Sequence, residues 1–80
     1  MEATREQRQA ANLRTLRRIR GMSQAEAAEV AGVTKTPYYE YECLGKLPTA
    51  KAALRLAEHY HVSLDVIVGR RLIKVSYEVE

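Results

Sequence analysis

A single cysteine, Cys43, stands in a chain of 80 residues, so no internal disulfide forms and the sequence suits a reducing compartment. No apolar run approaches the ~20 residues needed to cross a bilayer. The start, Met1-Glu2-Ala3-Thr4-Arg5-Glu6, is polar and charged where a signal peptide is apolar. A cytoplasmic protein without membrane attachment is expected. Internal repeats, low-complexity stretches and flexible linkers are also missing. The length allows one small domain, with a core near the lower limit for independent folding. Chemistry is thinly supplied. There is no nucleophile–base constellation and no glycine-rich phosphate loop, and Cys43, His59 and His61 lack the paired spacing of metal ligands. An enzyme, a metal site, a cofactor and a small-molecule substrate are therefore not expected.

What the chain does have is a skewed charge. The net charge is only +3, but residues 5–20 hold six arginines (Arg5, Arg8, Arg14, Arg17, Arg18, Arg20) against one acid, Glu6. A basic face attracts polyanions, although an arginine-rich helix is also commonly plain solvated surface. Over the same residues Ala10, Leu13, Leu16 and Ile19 recur at three-residue steps and Gly21 ends the run, which predicts a helix from about residue 5 to 20.

Two short helical patterns follow, hinged on one glycine. Ser23 and Glu26 have the spacing of a capping box at a helix N-terminus. Ala27, Ala28, Val30 and Ala31 are small enough to let helices approach closely, and Gly32 supplies a positive φ at the turn. Thr34 is the expected N-cap of a third helix from Lys35 to Cys43, because Pro37 is tolerated only in a first turn, where its missing N–H has no intrahelical partner. Two short helices on a tight turn make a helix-turn-helix, whose second helix is shaped to enter a DNA major groove. After the loop Leu44-Gly45-Lys46-Leu47-Pro48, Thr49 caps a helix over residues 50–60 with Ala53, Leu54, Leu56, Ala57 and Tyr60 inward or at its flank. Ser63 caps a short fifth helix carrying Leu64, Ile67 and Val68, stopped by Gly69. Finally Ile73, Val75, Tyr77 and Val79 alternate with Lys74, Ser76 and Glu78, the pattern of a half-buried strand. A lone strand has no ladder partner, so it pairs with a second copy, pairs with another protein, or stays disordered.

On the third helix Lys35, Thr36, Tyr39 and Glu40 share the outward face, while Tyr38 and Tyr41 turn inward. Early positions reach base edges in this docking mode. Thr36 suits a thymine methyl and Lys35 a guanine or a phosphate. Glu40 either accepts from cytosine N4 or pairs with Lys35 or an arginine. Lys46, Thr49 and Lys51 gather at the start of the fourth helix as candidate backbone contacts.

With these residues in place the chain resembles the Cro/phage-repressor (xenobiotic-response-element, lambda-repressor-like) helix-turn-helix family. The likeness rests on Leu13-Arg14-Thr15-Leu16-Arg17, Gly21-Met22-Ser23-Gln24, Ala28, Gly32-Val33-Thr34, Glu42, Pro48, Leu54, Leu56-Ala57 and Val62-Ser63-Leu64-Asp65, and covers roughly residues 10–68. The resemblance implies that Gln24, with nearby backbone N–H groups, holds a phosphate, and that Arg17 and Glu42 form an ion pair between the first and third helices. Three departures stand out. The family's Glu-Asn-Gly reads Glu42-Cys43-Leu44 here, with glycine one place later at Gly45. His61 occupies a positive-φ position that the family gives to glycine, and Ala27 replaces a customary leucine.

The expectation is an all-α fold: a five-helix lambda-repressor-like DNA-binding domain over residues 1–69 and a short C-terminal β-strand for dimerisation over residues 70–80. The expected function is a sequence-specific double-stranded-DNA-binding transcriptional regulator, a repressor acting as a homodimer on a pseudo-palindromic operator. The candidate DNA-binding residues are Arg17, Ser23, Gln24, Thr34, Lys35, Thr36, Tyr39, Glu40 and Lys46. Arg17 and Glu42 are also the structural ion pair, and Ile73, Val75, Tyr77 and Val79 the dimerisation stripe. The rival is an antitoxin-type or other protein-interaction module of the same fold with weak or no DNA binding; a second alternative keeps the DNA site but uses the strand to dock a different protein, as an antitoxin docks a toxin.

Overall fold

Hydroxyl side chains start the helices, and three of them complete the cap. In the computed structural model, which describes residues 2–73, Thr4 Oγ1 accepts from the Gln7 N–H at 3.1 Å while Gln7 Oε1 takes the Thr4 N–H at 2.9 Å. This reciprocal box opens α1 (Arg5–Ile19). Ser23 and Glu26 repeat it at the head of α2 (Gln24–Ala31), at 3.1 and 2.9 Å. Thr49 Oγ1 accepts from Ala52 N–H at 3.2 Å to start α4 (Ala50–Tyr60). Thr34 and Ser63 hold the extended N-cap backbone in front of α3 (Lys35–Tyr39) and α5 (Leu64–Ile67), but neither hydroxyl caps its helix. Among the described residues there are thus five α-helices and no strand.

The third helix does not end at Tyr39. It continues as a π-helical segment, Glu40–Leu44, capped by Gly45 in the left-handed region (φ 70°) with its N–H on the Glu40 carbonyl. The wider turn takes up the one-place shift of glycine noted in the sequence. Gly45 is needed twice over: its φ is positive, and a Cβ there would lie 2.5 Å from the Glu6 Cα. His61, at φ 55°, does take the left-handed conformation that closes α4.

The core joins Leu13 and Leu16 of α1, Tyr38 and Tyr41 of the third helix, Leu56 and Tyr60 of α4, and Val66 and Ile67 of α5 around the alanines 27, 28, 31, 52, 53 and 57. Ala27, without the bulk of a leucine, is fully enclosed. The Tyr38 and Tyr41 rings meet edge to face at 6.4 Å, a geometry the aromatic quadrupole favours.

The inward face of α1 differs from the three-residue pattern of its apolar residues. Ile19 is 57% exposed and Ala10 only half-buried, while Gln9 and Asn12 are completely enclosed. The reason is backbone satisfaction. Gln9 Nε2 donates to the Tyr41 and Lys46 carbonyls at 3.1 and 2.6 Å. Asn12 Nδ2 donates to those of Val66 and Arg71 at 2.9 and 2.8 Å, and its Oδ1 accepts from Ile73 N–H at 3.1 Å. A buried carbonyl left without a donor costs about 1–3 kcal/mol, so these amides add donors at the helix ends and in the chain that follows them, at Val66 beside the Gly69 N–H already bonded there at 3.2 Å.

Residues 70–73 run as irregular chain against α1, with Ile73 packed on the core. The rest of the expected strand, including Val75, Tyr77 and Val79, lies outside the described residues. Among the described residues no helix is long and apolar enough to cross a membrane.

Candidate nucleic-acid interface

The turn between α2 and α3 is closed by backbone hydrogen bonds from Gly32 N–H to Glu29 and from Val33 N–H to Ala28, both at 3.0 Å, with Gly32 at φ 74°. Ala28 and Ala31 are small enough to let the two helices meet there. The closure sets Thr34, Lys35 and Thr36 on the outside, followed by Tyr39, which is 50% exposed. Because the Thr34 hydroxyl makes no cap bond, it too faces outward with its donor and acceptor unspent. Gln24, Lys35, Thr36 and Tyr39 together line an open notch of about 230 Å³. Lys35 also borders a second hollow, lined on the α2 side by Ala25, Glu26, Ala28 and Glu29.

Behind this row sits one buried carboxylate. Glu42, only 1% exposed, accepts four hydrogen bonds: Arg17 Nε at 2.6 Å and Tyr38 hydroxyl at 3.1 Å on Oε1, Arg17 Nη2 at 3.2 Å and Gln24 Nε2 at 2.7 Å on Oε2. Arg17 Nη1 continues to the Met22 carbonyl at 2.8 Å. Burial by itself pushes the Glu42 carboxyl up, but the hydrogen bonds from Arg17 and Gln24, the Arg17 charge and the Tyr38 hydroxyl outweigh it and hold the group below the usual carboxylate range. The hydrogen bond to Glu42 correspondingly raises the Arg17 guanidinium, against the opposing effect of burial. Burial, reinforced by the neighbouring Glu42 charge, pushes the Tyr38 phenol up.

The expected Arg17–Glu42 pair is therefore present, and it binds three elements at once. Arg17 was also placed among the DNA-binding residues, but its guanidinium points inward and is engaged on Glu42 and Met22. Gln24 was expected to reach a phosphate; its amide N–H donates instead to Glu42, with Cys43 Sγ 3.9 Å away. This leaves the Gln24 carbonyl oxygen and the backbone N–H groups of the helix start as its outward chemistry. Ser23 Oγ is occupied by its own capping box. Glu40 pairs neither with Lys35 nor with an arginine; its partner is Lys46, Nζ to Oε1 3.6 Å.

The arginine-rich first helix is less basic on its surface than its sequence. Arg5 Nη1 donates to Gln9 Oε1 at 2.6 Å and the Val68 carbonyl at 2.8 Å, and its Nη2 to the Gly45 carbonyl at 2.6 Å. Arg8 Nε reaches the Gly69 carbonyl at 2.8 Å and its Nη1 the Ala3 carbonyl at 2.7 Å. With Arg17 also turned inward, Arg14, Arg18 and Arg20 are the exposed arginines of residues 5–20. The internal roles of Arg5, Gln9 and Asn12 were missed at the sequence level. A signal existed: residues 5, 9, 12 and 16 recur at helical spacing and put these polar side chains on the face of Leu16. Among the described residues no group of three or more His, Cys, Asp or Glu is gathered as a metal site.

The sequence pattern of the family described as "Helix-turn-helix domain" matches residues 5–67. An uncharacterised HTH-type transcriptional regulator, YobD of Bacillus subtilis (strain 168), is 37% identical over 57 residues, which cover 71% of this chain and 51% of that protein. The chain thus spans about half the length of that curated relative. No solved structure matches this chain.

Proposed function

The chain belongs to the helix-turn-helix domain family, and on that premise we propose that it is a sequence-specific, double-stranded-DNA-binding transcriptional regulator of the Cro/phage-repressor type. The observation that carries this reading is the exposed row Thr34, Lys35, Thr36 and Tyr39, with Gln24 fixed beside it by a buried carboxylate. Rigid support behind an outward polar row is what base-edge recognition in a major groove requires. The name of the Bacillus subtilis relative, a transcriptional regulator, supports the same class. Lys35 and Thr36 read bases, while the α2 start at Ser23 and Gln24 fixes the register on a phosphate. Within this reading the protein is a non-enzymatic repressor. It acts as a homodimer, because one recognition helix offers too few base contacts, whereas two on a two-fold axis, about 34 Å apart, read a pseudo-palindrome. Residues 70–80 serve as the dimerisation element.

Selection of bound duplexes from a random pool tests the reading, followed by titration of the selected duplex across salt. Affinity should fall with a log–log slope of about −0.9 per neutralised phosphate, and sedimentation should give a dimer. A folded chain that captures no duplex at low salt overturns it. The inward commitment of Arg5, Arg8 and Arg17 favours a second reading: a module of the same fold, antitoxin-like, that binds another protein through its C-terminal segment. That module would stay folded, ignore duplex DNA and sediment as a monomer when alone.

A further inference from the structure

Glu40 is an acid on the outward side of the helix proposed to enter the groove, and the fold does not leave it alone. Its carbonyl accepts two backbone donors, from Gly45 and from Lys46 at 3.1 Å, because the helix closes there as a π turn. The next stretch is fastened from the other side as well: the Gly45 carbonyl takes Arg5 Nη2 and the Lys46 carbonyl takes Gln9 Nε2, each at 2.6 Å. The backbone of Lys46 is thus rooted beside Glu40, and the side chains meet at 3.6 Å with the lysine largely exposed. A long exposed lysine normally roams; this one is anchored next to a single counter-charge.

We propose that Glu40 is a specificity-determining residue that masks Lys46 from DNA phosphates. The inference rests on duplex DNA being the ligand. In the free protein the pair is neutral. On an arbitrary duplex, Lys46 reaches a phosphate only by leaving Glu40, whose carboxylate then faces the polyanion uncompensated. On a site that offers Glu40 a hydrogen-bond donor, such as a cytosine N4 amino group, the carboxylate is satisfied and Lys46 is released to the backbone. The pair therefore lowers binding to DNA at large more than binding to the right sequence, which is discrimination by penalty rather than by added contact.

The test uses the full chain, a pool of random-sequence duplexes and the best selected duplex. Glu40→Gln should steepen the salt dependence on random duplexes by about 0.9 in log–log slope, one more neutralised phosphate. Its affinity advantage over the parent should then grow about threefold between about 200 and about 50 mM salt. The ratio of selected to random binding should fall. Lys46→Gln should leave the parent slope on random duplexes nearly unchanged but remove the whole increment in the Glu40→Gln background. Melting curves verify that both variants are folded. If Lys46→Gln flattens the parent slope by the full increment, the lysine already sits on a phosphate and is not masked. If Glu40→Gln steepens the slope whether or not Lys46 is present, Glu40 acts by general repulsion, and the masking is overturned. If neither parent nor variant binds any duplex, the DNA reading falls and takes this inference with it; binding with identical slopes overturns this inference alone.

Discussion

Replacing Glu42 by alanine should unseat more of this domain than any other single loss of charge. The carboxylate accepts from Arg17 twice, from Tyr38 and from Gln24, so its removal strands four donors on three elements. Removing one partner of a buried pair costs about 3–5 kcal/mol. Arg17 retains a little solvent access and can swing outward, which places the expected loss near about 3 kcal/mol. A domain of this length has roughly 4–12 kcal/mol in total, and 1 kcal/mol moves its melting temperature by about 4–8 °C. Glu42→Ala should therefore melt about 12–24 °C below the parent. Glu42→Gln, which keeps one acceptor but brings an amide among donors, should fall between. Thermal melts by circular dichroism on Glu42→Ala, Arg17→Ala and the double variant give the coupling. The double variant should be markedly more stable than the sum of the single losses, since removing both partners leaves no stranded charge. Strict additivity would refute the reasoning. Acidity gives a second readout. The Glu42 pKa is depressed on folding from an ordinary value of 4.5, so its contribution is fully present above that value and is lost as pH falls through the depressed one. The parent should lose stability below about pH 4.5 more steeply than Glu42→Gln does.

Two tyrosines of one core should respond oppositely to loss of the same atom. The Tyr60 hydroxyl is buried without a hydrogen-bond partner among the described residues, so Tyr60→Phe should leave the melting temperature unchanged or raise it, whereas Tyr38→Phe should cost about 1.5 kcal/mol through Glu42. Gly45→Ala should cost about 2–4 kcal/mol, left-handed strain added to a clash with the α1 backbone at Glu6; a neutral result in denaturant titration would mean that the π turn relaxes freely. In duplex binding, Lys35→Ala and Thr36→Ala should each change base preference by about 1–3 kcal/mol, while Gln24→Ala should weaken all sequences alike. A shift in preference from Gln24→Ala, with none from Lys35→Ala, would reverse those roles.

Local chemistry was readable in the sequence wherever a residue acts on its near neighbours. Ser23 with Glu26, Gly32 and the inward turn of Tyr38 and Tyr41 follow from spacing or backbone sterics, the left-handed His61 from the family likeness, and all are found. The Arg17–Glu42 pair came from the family likeness, since no local rule joins residues that far apart. The misses share a cause. Gln9 and Asn12 are polar and no local pattern singles out their partners, carbonyls about 30 to 60 positions away. For Glu40, left open between cytosine N4 and an ion pair with Lys35 or an arginine, the cation found is Lys46, which comes alongside only after the π turn. Periodicity reports which residues are apolar; it does not report which loops will lack donors.

The amides on α1 also set when this chain is able to complete its fold. Asn12 finds its backbone partners at Val66, Arg71 and Ile73, the last of them 61 positions downstream. At a synthesis rate of roughly 5–20 residues per second, α1 waits about 3–12 seconds on the ribosome before those groups exist. During that wait the Asn12 amide lacks its backbone partners, although Arg5 and Gln9 on the same helix can already hold the end of the third helix. Full satisfaction of the enclosed Asn12 amide therefore waits until residues 66–73 have been made.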